Sequence, residues 1–155
     1  MSFRISGLDA AAFRPLYGLP DEELAARGAR RVVADARPGY PDRIELRDVE
    51  PGERLILLNY THQPARSPYR SSHAIFVREG AERRCEMIDA VPAALAIRPI
   101  SLRAFDAAGE MLDARLIDGD DLRFAIEALL ANAQTAYLHA HYATRGCCAA
   151  RIDRL

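Results

Sequence analysis

Apolar residues along this chain recur with two different periods, and the switches between them mark its elements. Arg54-Leu-Ile-Leu-Leu-Asn-Tyr60 is apolar at consecutive positions and runs into turn-formers, the pattern of a strand buried on both faces. His73-Ala-Ile-Phe-Val77 reads the same way. Phe3-Arg-Ile-Ser6 and Arg31-Val-Val-Ala34 predict short strands, and Arg43-Ile-Glu-Leu-Arg47 alternates polar and apolar as a half-exposed strand does. Ser101-Leu-Arg-Ala-Phe105 and the run from Met111 to Ile117 flank Asp106-Ala-Ala-Gly109 and predict a hairpin. Helical spacing is clearest from Gly119 to Ala131, where Leu122, Ile126, Leu129 and Leu130 share a face and acids open the first turn. Shorter helices are predicted after Asp9, from Asp21 to Arg27 and from Pro92 to Ala96. The charged segment from Arg78 to Glu86 predicts an exposed turn.

The last hairpin can be read down to its register. Ala136 to Tyr142 and Cys147 to Asp153 are joined by Thr144-Arg-Gly146, with glycine where a left-handed residue is needed. His139 then faces Arg151, His141 faces Ala149 and Tyr142 faces Cys148. One face carries Leu138, Ala140, Tyr142, Cys148, Ala150 and Ile152; the other carries Tyr137, His139, His141, Cys147, Arg151 and Asp153. A slip of one residue would mix the two sets, so burial favours this register.

These elements predict one compact α+β domain spanning residues 1–155. It is built on a largely antiparallel sheet, with the helix in the C-terminal half packed on one face and short helices near the N-terminus. The length suits a single core. Acidic and basic residues are interspersed and the net charge is −1, so no cationic stripe is available to track nucleic acid. No leader pattern opens the chain and no apolar run reaches the roughly 20 residues that span a bilayer, so neither nucleic acid nor membrane is an expected partner and a cytoplasmic location is expected. The 3 cysteines do not form the even framework of a secreted disulfide scaffold. Every basic residue other than histidine is arginine, which excludes a Schiff-base lysine and a P-loop. No cofactor motif is present.

Candidate chemistry concentrates between the two central strands. Pro64 and Pro68 stiffen a connection from Gln63 to Ser72, longer than the usual hairpin loop. Arg70 supplies a planar fork of donors, and Ser71 and Ser72 add hydroxyls, a set suited to a carboxylate or phosphate. Asn59, Tyr60 and Tyr69 line the same loop as ligand-binding candidates. His62 and His73 border it as candidate acid–base groups. The bland alternative pairs Arg70 with an acidic loop elsewhere. A second cluster, His139, His141 and Cys147, has the residue types of a metal site, but Arg151 opposite His139 opposes a cation and the spacing matches no zinc motif. A polar sheet face covered by another segment explains those residues as well.

The run from Leu58 to Pro64 with Ser67-Pro-Tyr-Arg-Ser-Ser-His-Ala-Ile-Phe-Val-Arg-Glu79 resembles a bacterial family of uncharacterised proteins, the domain-of-unknown-function family numbered 1203. Gly39-Tyr-Pro41, Arg47-Asp-Val-Glu-Pro-Gly-Glu53, Ser101-Leu-Arg-Ala-Phe-Asp106 and Arg145-Gly-Cys147 are similar too. The resemblance is to relatives with a cysteine just after Gly-Tyr-Pro; this chain has Asp42 there, so no role for that thiol carries over. The resemblance implies one compact domain and brings no activity with it.

The leading expectation is therefore a small-molecule protein that holds an anionic group at Arg70, Ser71 and Ser72, with His62 or His73 beside it. The alternative is a noncatalytic interaction module acting as a homodimer, and the third reading is the metal site.

Overall fold

A computed structural model describes residues 1–155, and every strand pair in it is antiparallel. Nine strands are β1 (Phe3–Ser6), β2 (Arg30–Val33), β3 (Arg54–Gln63), β4 (Ser71–Arg78), β5 (Glu86–Ile88), β6 (Pro99–Phe105), β7 (Met111–Asp118), β8 (Tyr137–Tyr142) and β9 (Cys148–Arg154). Three α-helices are α1 (Asp21–Ala26), α2 (Ala93–Ala96) and α3 (Leu122–Leu130). The expected α+β class holds, but the strands divide into a six-stranded sheet, β5-β1-β9-β8-β6-β7, and a three-stranded sheet, β2-β3-β4.

The amphipathic reading of α3 explains the larger core. Its Leu122, Ile126, Leu129 and Leu130 are buried with Ile100, Leu102, Leu138, Ala140, Ala150 and Ile152 from one face of the six-stranded sheet. Each fully buried leucine or isoleucine there contributes about 2 kcal/mol of transfer free energy. A second core lies on one face of the smaller sheet, where Ile56, Ile75 and Val77 pack against Phe13 and Leu24 from the N-terminal helical segments. Phe13 sits between two 3₁₀ turns, Ala10–Ala12 and Arg14–Leu16, where a single brief helix was expected.

Two segments depart from expectation. Residues 43–47 alternate like a strand yet form none: Arg43, Ile44 and Leu46 are all buried, and Leu46 adopts φ +53°. Their backbone groups bond to several neighbours instead of one ladder. Arg43 N donates to Phe76 O at 3.1 Å, Leu8 N donates to Arg43 O at 2.7 Å, and Cys85 N donates to Ile44 O at 2.8 Å. The segment is thus wedged between the edge of β4 and the end of β1. Gly7 makes that approach possible, since a Cβ there would lie 2.1 Å from Ile44 O. Glu86–Ile88, expected in part as turn, becomes a strand only because β1 offers it a free edge.

Candidate functional site

The loop expected to carry the chemistry is shorter than predicted. β3 continues through Gln63 after a shift in register between Tyr60 and Gln63, and β4 begins at Ser71, leaving Pro64–Arg70. Gln63 is buried and donates through Nε2 to Tyr137 Oη at 2.8 Å, tying the loop to the six-stranded sheet. Arg70 turns back to donate to Pro64 O at 2.5 Å. Ser71 Oγ lies 2.9 Å from His62 Nε2. Ser72 and Asn59 are exposed, and Tyr69 meets Phe105 edge-on at 6.5 Å. His73 shares 3.0 Å between Nδ1 and Ala74 O and stands opposite Tyr60 across the ladder.

The two clusters that were separate in sequence meet in space. The His62 ring lies 4.8 Å from that of His141 and 6.0 Å from that of His139. The polar face of β8 is therefore covered by the end of β3. His141 donates from Nδ1 to Gly146 O at 2.9 Å; a carbonyl only accepts, so this bond puts the proton on Nδ1 and leaves Nε2 bare. His141 Nε2 and His139 Nδ1 find no hydrogen-bond partner. Burial, with repulsion from neighbouring imidazoles and arginines, holds both rings neutral and pushes each pKa down to about 3. His62 is shifted in the same direction, chiefly by burial and then by Arg103.

The thiol expected beside the histidines is on the other side. Pairing follows the predicted register from Tyr137↔Asp153 to Ala140↔Ala150, and then a bulge places Cys148, not Ala149, opposite His141. The extra residue exchanges the faces of the two cysteines. Cys148 joins His62 and His139 around a cavity of about 230 Å³, and burial raises its pKa to about 12. Cys147 instead accepts from Arg43 Nη2 at 3.0 Å. His139, His141 and Cys147 are not gathered around one point, and no group of three or more His, Cys, Asp or Glu residues is placed to hold a metal ion.

Arg43 is the residue that sequence reasoning missed. It is 2 % exposed, and its partners are Cys148 O from Nε, Pro41 O from Nη1 and the Cys147 thiol from Nη2. No carboxylate is among them. An unpaired buried charge costs several kcal/mol, so a permanent cation in this position needs an explanation beyond packing. Nothing in the sequence separated it from the other arginines, because the signal is burial.

Arg43 walls the smaller cavity and also a larger one of about 560 Å³. The larger cavity is lined by Tyr40, Phe76, Arg98, Tyr142, Arg145 and Cys147, among others. The guanidinium carbons of Arg43 and Arg98 lie 4.9 and 5.0 Å from the Tyr142 ring centroid. Arg98 is neutralised by a fork to the buried Asp48 carboxylate, at 2.5 and 2.8 Å. Tyr142 is 6 % exposed and its hydroxyl has no partner, while burial pushes its pKa up to about 12, so it stays a neutral donor. The cavity thus presents cationic and hydroxyl donors and a thiol, with one carboxylate, Asp35, which accepts from Tyr40 Oη at 2.9 Å; the cationic donors outnumber it and suit an anion.

No helix is long and apolar enough to cross a membrane. No curated protein and no solved structure matches the chain. Residues 39–154 match the family described as "Protein of unknown function (DUF1203)", a span that includes β3, β4, β8, β9 and all of the larger cavity's wall from Gly39 onward. The chain belongs to the DUF1203 family.

Proposed function

We propose that the protein binds a small molecule bearing a carboxylate or phosphate in the larger cavity, between Arg43, Arg98, Tyr142 and Arg145. One observation carries this reading: a buried guanidinium with no carboxylate partner, beside an unpartnered buried hydroxyl. This keeps the anionic ligand expected from the sequence but moves it from Arg70, Ser71 and Ser72, where Arg70 and Ser71 already serve the loop itself. If acid–base chemistry accompanies binding, it falls to His62, which lines the adjoining cavity across Arg43. A thermal-shift panel of carboxylates and phosphates, each beside a neutral amide or ester of similar shape, tests the proposal. The anions should stabilise the protein and the neutral analogues should not. Tyr142→Phe, which keeps the ring against both arginines, should weaken binding about tenfold for the loss of one hydrogen bond to a charged group. Equal affinity in Tyr142→Phe and in Arg145→Ala would overturn it.

A second reading, a homodimer, is favoured by β7. This strand is an outer edge of the six-stranded sheet, and Leu112 and Leu116 on it are 37 % and 74 % exposed. Around Ala114 its sequence is self-complementary for antiparallel pairing: Asp113 would face Arg115 of a second copy, and Leu112 would face Leu116. A bulge at Leu112 shortens the ladder, so the association should be weak and concentration-dependent. Sedimentation of Asp113→Arg should show monomer, and adding Arg115→Asp should restore the dimer. A wild type that is monomeric at all concentrations would remove this reading.

A further inference from the structure

The buried guanidinium has one neighbour that can itself become an anion. Cys147 Sγ lies 3.0 Å from Arg43 Nη2, and Cys147, 7 % exposed, lines the larger cavity. A sulfur anion formed there would meet a charge-assisted guanidinium donor, the electropositive setting in which thiols become nucleophilic. A second observation points to a ligand at the same place: Tyr142, more than nine-tenths buried, lines this cavity and its buried hydroxyl has no partner. Arg145, exposed at the rim, forms no ion pair with the protein's carboxylates.

We propose that Cys147 is a nucleophile directed at electrophiles that carry a carboxylate or phosphate. Arg145 and the Tyr142 hydroxyl hold the anionic group, and Arg43 stabilises the sulfur anion. The thiol proton leaves to solvent, the sulfur lone pair forms a bond to the electrophilic carbon, and the leaving group departs with the electrons of the bond that breaks. The other two thiols, which have no arginine donor on their sulfurs, serve as internal comparisons. The inference rests on the anion-binding reading of the cavity and adds the reacting atom to it.

Iodoacetate and iodoacetamide make the test, since they differ only in carboxylate against amide and both alkylate by displacement of iodide. A thiolate free in solution reacts faster with the amide. Peptide mass spectrometry of the whole folded chain, following Cys85, Cys147 and Cys148 with time, should show Cys147 modified first and at least tenfold faster by iodoacetate. Arg145→Ala should return the ratio of the two rates towards the order seen in solution. Added chloride should slow only the iodoacetate reaction. Preference of Cys147 for iodoacetamide, or earlier modification of Cys85 or Cys148, would overturn the proposal. The thermal-shift panel separates the two failures: anions that still stabilise a protein with an inert Cys147 would leave the binding reading standing and remove the nucleophile, whereas loss of both would remove the cavity's anion site altogether.

Discussion

Acid should weaken this fold by an amount set by two imidazoles. His139 and His141 are 4 % and 1 % exposed, and their pKa falls from 6.5 in the unfolded chain to about 3 in the folded one. Because the unfolded state binds protons more readily, their contribution is fully present above pH 6.5 and declines as pH falls from there towards 3. Between pH 7.5 and 5.5 each ring costs about 1.4 kcal/mol, the free energy of protonating the unfolded imidazole tenfold over, so the pair costs about 2.7 kcal/mol. His62, shifted the same way, adds to that loss. Urea unfolding at the two pH values measures the difference directly. His139→Leu removes one titrating ring while keeping an apolar group against Phe105 and Tyr137, and it should cut the pH-dependent loss by about 1.4 kcal/mol. A wild type equally stable at both pH values would refute the reasoning, as would a variant that loses as much as wild type.

Other substitutions probe the wedge and its attachments. Gly7→Ala places a methyl group against Ile44 O and should destabilise by about 3 kcal/mol, read as a fall in the urea midpoint, because a backbone atom cannot swing aside. Arg98→Ala strands Asp48, whose pKa is pushed up by burial but lowered overall by hydrogen bonds from Arg98 and the Gly39 amide. The expected cost in thermal or urea unfolding is about 3 kcal/mol at neutral pH, and it should shrink as acid protonates Asp48, with Arg98→Ala/Asp48→Ala recovering part of it. Gln63→Ala leaves the Tyr137 hydroxyl without its partner and should cost about 1 kcal/mol while speeding proteolysis within Pro64–Arg70.

The elements with strong local patterns were legible in the sequence. The apolar stripe of α3 repeats often enough to mark its buried face, and Asp106 to Gly109 closes the β6–β7 hairpin where a turn was expected. Register in the last hairpin was correct to Ala140↔Ala150, since burial of alternate residues specifies it. The bulge beyond that point was not legible, because one extra residue near a glycine turn changes no composition; yet it decides which cysteine faces the histidines. Residues 43–47 misled for a similar reason: alternation records burial on one side, whereas this segment is buried by contacts with both sheets. Of the expected site, His62 and Ser71 are joined and His139 and His141 complete an imidazole cluster, but the sequence offered no way to see that β3 would reach across to β8.

The placing of β1 beside β9 has a mechanical consequence. Phe3 pairs with Arg154, Arg4 with Asp153 and Ile5 with Ile152, so the outer ends of the two strands lie at the same end of their ladder. Tension applied through those ends does not shear the whole ladder together. It loads a single rung, breaks it, and passes to the next. The six-stranded sheet, although it carries the larger core, therefore offers little resistance to traction applied at those ends. An unfolding motor pulling on the C-terminal end of β9 would draw that strand out from between β1 and β8 one residue pair at a time.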